Sequence, residues 1–266
     1  YAERDSVSGI WKPKTAPTGI TYGTNVFFLK FENSASMGTD SSGNSNNFTV
    51  SGTLTQNVDT PSNNFATMNP LHKGANVALT NGNLTCTGSG SNASVASTLA
   101  VSTGKWYWEA KLNSSTTNYL NVGILKSDVR IDNLLFPGDV AEGYVYAVDG
   151  NIYRSGSSLL STGTTLSVGD IVGFLLDLDA GTLKLKKNGS DVYSGNAVVT
   201  GLNTGDFWYV AQGANPSSVD INFGSGFFGT IAVSSAQADD GGLGIMEYDV
   251  PANYRVLCTK NIKDYG

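Results

Sequence analysis

The feature that most constrains this chain is the spacing of its apolar residues. They alternate with polar residues over short runs, and clusters of Gly, Asn, Asp and Ser separate the runs. A period of two is typical of a half-buried strand, whereas an amphipathic helix needs apolar residues three or four positions apart. We therefore predict an all-β chain with almost no helix.

The predicted strands follow one another at the short intervals typical of a two-sheet sandwich. Asn-Gly at residues 81–82 predicts a two-residue hairpin turn, and Asp-Gly at residues 149–150 predicts another tight turn. Residues 1–25 are irregular and suggest an extended arm. Strands are predicted at residues 26–31, 48–54, 77–79, 83–86, 105–112, 120–125, 143–148, 151–153, 171–177, 182–187, 207–212, 219–223 and 254–258.

Composition removes several classes of function. Charged residues make up 14% of the 266 residues and the net charge is −6, which disfavours a binder of duplex nucleic acid. The chain has one His and two Cys, so zinc cages, iron–sulfur sites and His-based catalytic triads are poorly supplied. No run reaches the roughly 20 apolar residues that a membrane-spanning helix needs.

The chain ends and cysteines give weaker indications. No signal-peptide pattern follows Tyr1, and either end is compatible with a cut in a longer polypeptide. Cys86 and Cys258 lie far apart in the sequence, each within a strand-like apolar run. We favour two buried thiols over a disulfide, although the sequence leaves the pairing open.

A set of motifs, in order and spacing, resembles SPRY (B30.2-like) domains over about residues 77–262. Residues 104–112 (GKWYWEAKL) are similar to the strand that marks the family. The other matching motifs are residues 121–124 (NVGI), 168–183 with 187–189, 222–224 (NFG) and 256–259 (VLCT). The resemblance implies a bent two-sheet β-sandwich that serves as a binding module, presents loops at one end and has no catalytic machinery.

A second resemblance covers the first 70 residues. Residues 8–11 (SGIW), 22–23, 28–32 (FLKFE), 40–49 (DSSGNSNNFT) and 59–70 (DTPSNNFATMNP) are similar to SPRY-bearing structural proteins of tailed bacteriophages. The long polar stretch before residues 248–251 (YDVP) also resembles those proteins and departs from cellular SPRY domains. The resemblance implies a tail fibre, another appendage or a capsid-attached protein. The opening segment is also similar to lectin-like jelly rolls.

We therefore predict an all-β fold: a bent two-sheet antiparallel β-sandwich of the SPRY or concanavalin-like jelly-roll type, with an extended N-terminal arm. Residues 1–25 are assigned to the arm or a linker. Residues 26–76 are assigned to lectin-like strands that pack on the sandwich. Residues 77–266 are assigned to the SPRY-like sandwich, with an insertion at about 225–247.

The best ligand candidates are aromatic and polar residues near predicted loops. An aromatic ring stacks on the apolar face of a sugar while neighbouring amides and carboxylates bind its hydroxyls, and the same patch suits protein docking. Partial burial between subunits explains such a patch equally well. The candidates are Asn118, Tyr119, Asp132, Phe136, Tyr153 and Arg154. By contrast, we assign the run Trp106-Tyr107-Trp108 to the core, with the two Trp on one face and Tyr107 on the other.

Candidates for metal binding and catalysis are weaker. Asp40, Asn44 and Asn46 offer oxygen ligands at alternate positions, but one carboxylate without a closing Glu favours an Asx-rich turn over a calcium site. Asp170 follows Gly169 and is interpreted as a turn former, and the sole His, His72, is placed in a loop. We predict no catalytic residues, no cofactor and no enzyme activity.

The leading hypothesis is a bacteriophage virion protein whose SPRY-like domain is a non-catalytic interaction module. Expected partners are other virion proteins and further copies of this chain, a trimer being one candidate state, with a host-surface glycan or protein as a second class. Neither nucleic acid nor membrane insertion is expected. The expected location is the extracellular particle, assembled in the host cytoplasm. The alternatives are a capsid-attached decoration protein, a cellular SPRY adaptor that binds a peptide and, least favoured, a glycan-cleaving enzyme.

Overall fold

The computed structural model describes residues 2–4, 11–14, 19–52, 54, 56–60, 62–91, 93–115, 120–132, 136–214 and 216–266. The chain divides into two compact units, Tyr1–Ser62 and Asn63–Gly266. The predicted arm lies partly outside the described residues; within it, residues 2–4 and 11–13 form a small antiparallel ladder.

Strands dominate the regular structure of the described residues. In chain order they are β1 Ala2–Arg4, β2 Trp11–Pro13, β3 Met68–Lys73, β4 Val77–Thr80, β5 Thr85–Gly88, β6 Ser94–Val101, β7 Lys105–Ser115, β8 Leu120–Lys126, β9 Gly143–Ala147, β10 Asn151–Arg154, β11 Ser157–Ser161, β12 Ile171–Asp177, β13 Thr182–Lys187, β14 Ser190–Asp191, β15 Val199–Thr200, β16 Trp208–Ala214, β17 Ser217–Asn222, β18 Phe227–Phe228, β19 Ile231–Ala232 and β20 Arg255–Val256. Single 3₁₀ turns span Pro137–Asp139 and Tyr193–Gly195, and the helix α1 spans Thr259–Tyr265. None of the helices described has the length and apolar composition required to cross a membrane.

Two large sheets of the Asn63–Gly266 unit form a sandwich. One has the order β11-β10-β9-β8-β16-β6-β3, and the other has the order β14-β13-β12-β7-β17-β5-β4, with β15 paired to β13 and β20 paired parallel to β7. The remaining pairings in both sheets are antiparallel. The predicted all-β sandwich is therefore confirmed.

The core between the sheets follows from the alternation along each strand. On β7, Trp106, Trp108, Ala110 and Leu112 all belong to the main apolar cluster. The register pairs Trp108 with Phe174 of β12, and their rings stack with centroids 5.1 Å apart and planes within 4°. The assignment of the Trp-Tyr-Trp run to the core is thus confirmed.

A buried carboxylate ties the C-terminal segment to β7. Glu109 Oε1 accepts hydrogen bonds from Tyr107 Oη at 3.0 Å and from the Tyr248 backbone N–H at 2.9 Å. Its Oε2 accepts from the Glu247 N–H at 2.9 Å and from Asn222 Nδ2 at 3.4 Å. Burial raises the pKa of Glu109, and these donors oppose the shift. The Glu109 side chain therefore fixes residues 247 and 248 to this sheet, in addition to the pairing of β20 with β7.

Two predicted strands are absent from the described residues of the N-terminal unit. Residues 26–31 and 48–54 belong to no ladder there, and residues 26–31 make only the isolated bridge between Leu29 and Asp40. An apolar run identifies a segment that is suited to a strand, but a strand forms only when it pairs with a partner. Here a polar loop bonds to the neighbouring backbone instead, because the Asn44 and Asn46 amides donate to carbonyls of residues 23–26.

Other differences concern local elements. His72 lies in β3, not in a loop, and β3, β6 and β11 were not predicted. The hairpin between β4 and β5 has four loop residues, 81–84, because Asn83 also adopts a left-handed φ of 63°. The short helix α1 was not predicted either; the amide of its buried Asn261 donates to Asp239 Oδ2 at 2.8 Å.

Cys86 and Cys258 are both free and buried, which confirms the thiol interpretation. Burial raises the pKa of each thiol, and the thiolate is the reactive form. We expect neither cysteine to react with Ellman's reagent in the native protein and both to react in denaturant. Rapid modification of either thiol under native conditions would contradict this burial.

Candidate functional site

A stretch of chain crosses the outer face of the seven-stranded sheet. We call residues 127–142 the covering segment; residues 133–135 within it lie outside the described part. Its apolar residues Val129, Ile131 and Val140 pack against residues on the outer surface of the sheet and form with them a small apolar cluster that is separate from the main core. The residues from the strands are Ala96, Leu125 and Ala211, with Tyr209 partly buried beside them.

Glycines allow the covering segment to lie directly on the strands. A Cβ at Gly213 would lie 2.7 Å from the ring of Phe136, and a Cβ at Gly143 would lie 1.8 Å from the Pro137 carbonyl oxygen. Phe136 is 6% exposed, and its backbone N–H donates to Asp139 Oδ2 at 3.0 Å. The predicted ligand residue Phe136 thus packs beneath the surface and holds the segment in place; a direct contact of its ring with a ligand stays a prediction.

Tyr153 and Arg154 lie at the end of β10, beside the covering segment. Tyr153 Oη donates to Asp149 Oδ2 at 2.7 Å, and this hydrogen bond raises the pKa of the phenol. Arg154 Nε donates to the Ala141 carbonyl at 2.8 Å, and its guanidinium lies 4.8 Å from the ring centroid of Tyr144. Both side chains are held in defined orientations and remain at least partly accessible.

Asp132 lies earlier in the covering segment and is paired with Arg130. Arg130 binds it in a fork, with Nη2–Oδ2 at 2.6 Å and Nε–Oδ1 at 3.3 Å. The Arg130 hydrogen bond lowers the pKa of Asp132, and the charge of His72 adds a smaller effect in the same direction. The ring of His72 packs edge-on against Tyr209, with centroids 5.3 Å apart. The surface around Asp132 therefore presents both charge signs, and His72, whose charge acts on Asp132, packs on an aromatic ring.

The structure brings three of the six predicted site residues together. Phe136 directly precedes the 3₁₀ turn Pro137–Asp139, Tyr153 lies against Gly138 of that turn, and Arg154 binds the Ala141 carbonyl. Asp132 belongs to the same covering segment, but its contacts are with Arg130 and with the charge of His72 on β3, which is five strands from β10 in the sheet order. The other two, Asn118 and Tyr119, lie outside the described residues. Sequence reasoning missed Arg130, His72 and Tyr209; the Arg-x-Asp spacing at residues 130–132 was the available signal for the first.

The chemistry of this surface is that of binding and support. Asp132 is engaged by a guanidinium, and Asp139 and Asp149 accept hydrogen bonds from neighbouring residues. Among the residues that the structure describes, no group of three or more His, Cys, Asp or Glu side chains is arranged to hold a metal ion. Fixed arginines and tyrosines are, however, the residue types that most often dominate protein–protein contacts.

The weak metal candidate in the N-terminal unit is an internally bonded loop. The Asp40 carboxylate accepts from Ser42 Oγ at 2.7 Å and from three backbone N–H groups. Desolvation opposes ionisation, but these hydrogen bonds lower the pKa of Asp40 below its usual range. The Asn44 and Asn46 amide nitrogens point at backbone carbonyls. This geometry fits the Asx-rich turn that the sequence favours.

Comparison with known proteins gives one family and several solved structures. Residues 105–226, a little under half of the chain, match the family model of the SPRY domain. The search of curated proteins found no match. Similar solved structures include the SPRY domain of human HERC1 (19% identity, 58% of this chain, 96% of that chain, TM-score 0.48). They also include the TRIM65 PSpry domain (12% identity, 59% and 89% covered, TM-score 0.46) and stonustoxin (19% identity, 59% and 27% covered, TM-score 0.45).

Proposed function

We propose that this protein, whose residues 105–226 match the SPRY-domain family model, is a structural component of a bacteriophage virion and uses that domain as a protein-interaction module. It is a tail fibre or other appendage, and its SPRY domain binds without catalysis. Its partners are neighbouring virion proteins and further copies of this chain, with a host-surface glycan or protein as a second class. Its location is the extracellular particle.

The observation that carries the binding role is the patch beside the covering segment. Tyr153 and Arg154 form this patch, and each is oriented by a hydrogen bond: Tyr153 donates to Asp149 and Arg154 donates to the Ala141 carbonyl. Pre-ordered side chains lose little conformational entropy on association, so a larger share of the contact energy appears as affinity. Because the covering segment holds Arg154 and packs against Tyr153, the patch is an ordered docking surface.

The virion part of the proposal has separate support. The first 70 residues resemble SPRY-bearing phage structural proteins, as does the long polar stretch from residue 225 to residue 244. Low charge combined with many Ser, Thr and Asn side chains gives a hydrated surface, which suits an extracellular particle. A cellular adaptor that binds a peptide would need neither the first 70 residues nor the polar stretch of residues 225–244.

We expect Tyr153→Ala and Arg154→Ala to weaken partner binding about tenfold each and to leave the melting temperature unchanged. The reason is that both side chains lie on the accessible surface of the patch and fill no part of the core. Surface plasmon resonance of the full chain against proteins dissociated from virions measures the effect. Tyr119→Ala is expected to act in the same direction.

Tyr193→Ala is the matched control, because Tyr193 is an exposed aromatic residue that follows β14, a strand of the other sheet. Unchanged binding by both Tyr153→Ala and Arg154→Ala would remove the patch from the interface. A glycan array separates the second partner class: binding without product release supports receptor recognition, and released product supports a glycosidase.

A further inference from the structure

The N-terminal unit Tyr1–Ser62 lacks a core of its own in the described residues. Met37 is the one hydrophobic side chain of the unit that is buried there. Seven others, between 36% and 54% exposed, lie within residues 26–58: Val26, Phe27, Phe31, Phe48, Val50, Leu54 and Val58. Burial of apolar surface is the main favourable contribution to folding, so these side chains gain stability only from an outside partner.

The exposed residues form an organised surface. Phe27 and Phe48 pack edge to face with ring centroids 4.7 Å apart, and Val50 and Leu54 line a groove of about 320 Å³ together with Met37. We call Phe27, Phe31, Phe48, Val50 and Leu54 the apolar face. Clustered exposed apolar side chains, such as the Phe27–Phe48 pair and the groove lined by Val50 and Leu54, mark an interaction site, unlike single scattered residues.

The backbone beside this face forms no strand ladder in the described residues. Residues 26–31 are an apolar run suited to a strand, yet the backbone of Val26 and Phe28 bonds to a polar loop and Phe31 has a φ of 55°. A left-handed conformation is unfavourable for an aromatic residue. Pairing of this segment with another strand would add ladder hydrogen bonds to those of the polar loop and allow Phe31 an extended backbone.

Charge identifies the partner. Lys30 and Glu32 flank Phe31, with Nζ and Oε1 3.6 Å apart and side chains 44% and 70% exposed. If two copies pair antiparallel about Phe31, Lys30 of each copy lies opposite Glu32 of the other. The segment is therefore complementary to itself, which a twofold interface requires.

The net charges of the two units agree with this choice. Residues 1–62 contain four basic and five acidic residues, so their net charge is −1, and the rest of the chain carries −5 of the total −6. Two copies that meet through the N-terminal unit thus join the parts that repel each other least. We infer that the apolar face is the interface between two copies of this chain.

This inference deepens the homo-oligomeric part of the proposed function, on which it rests, and leaves open what the SPRY domain binds. Sedimentation velocity of the full chain over a concentration series tests it. The wild type is expected to dimerise. Phe27→Ser combined with Phe31→Ser is expected to give monomers, whereas the control Phe207→Ser, at a site 54% exposed in the other unit, leaves the dimer intact.

Charge reversal tests the predicted pairing. Lys30→Glu alone places Glu opposite Glu32 twice, and Glu32→Lys alone places Lys opposite Lys30 twice, so each variant should dimerise about tenfold more weakly. An equimolar mixture of the two restores complementary pairs and should recover wild-type association as a heterodimer. Labelling one variant with a fluorophore allows that species to be detected.

A monomeric wild type, dimers unaffected by the Phe substitutions, or a mixture that fails to recover association would each overturn the inference. These results are separable from failure of the proposed function. If the wild type is monomeric but Tyr153→Ala loses binding to virion proteins, only the inference fails. If the dimer forms as described but Tyr153→Ala and Arg154→Ala bind like the wild type, only the SPRY docking surface fails.

Discussion

Replacing Glu109 by alanine should lower the free energy of unfolding by about 3–5 kcal/mol, because it removes the acceptor of several buried donors at once. The hydroxyl of Tyr107, the amide of Asn222 and two backbone N–H groups of residues 247–248 all donate to this carboxylate. Urea unfolding of the full chain, followed by tryptophan fluorescence, measures the loss.

Two further variants isolate the cause of this effect. Glu109→Gln keeps one acceptor oxygen but turns an N–H₂ group toward the donors, so we expect about half the loss. Asp128→Ala removes an exposed carboxylate and should leave stability unchanged. A Glu109→Ala protein with the wild-type unfolding midpoint would show that the C-terminal segment is held by other contacts.

Trp108→Ala should destabilise the protein by about 3–5 kcal/mol, the range for truncating a large buried aromatic side chain. Trp108 is fully buried and stacks on Phe174, so its removal leaves a cavity between the two sheets. Thermal and urea unfolding should both show the loss, with the all-β circular dichroism spectrum retained at low temperature.

The indole nitrogen gives this prediction a sharper form. Trp108 Nε1 is buried and finds no hydrogen-bond acceptor among the described residues, so replacing the indole by a hydrocarbon ring breaks no hydrogen bond. Trp108→Phe should therefore cost much less than Trp108→Ala. Trp11→Ala, at a position 71% exposed, serves as the control and should have no effect on stability. Equal losses for Trp108→Phe and Trp108→Ala would contradict a packing role.

The sandwich could be predicted because its central strands carry their own signal. β7 alternates apolar and polar residues, β12 is a continuous apolar run, and the register places Trp108 opposite Phe174. Prediction failed where a strand depends on its neighbours. Residues 26–31 are an apolar run like β12 but have no neighbouring strand among the described residues, while β6, rich in Ala and Ser, forms because two strands flank it.

The candidate site was predictable only in part, for a similar reason. Tyr153 and Arg154 could be found from their place next to a predicted turn, and Phe136 from its neighbours Pro137 and Gly138. The covering segment could not be predicted, because its position depends on glycines such as Gly213 on a distant strand. Arg130 gains its role only when that segment lies across the sheet.

The most direct test of the central claim is electron cryomicroscopy of virus particles purified from cells in which this chain is made. We expect the chain to occupy a fixed position in the particle and the patch of Tyr153 and Arg154 to contact a neighbouring protein. Particles that lack the chain, or density in which this patch faces only solvent, would contradict it.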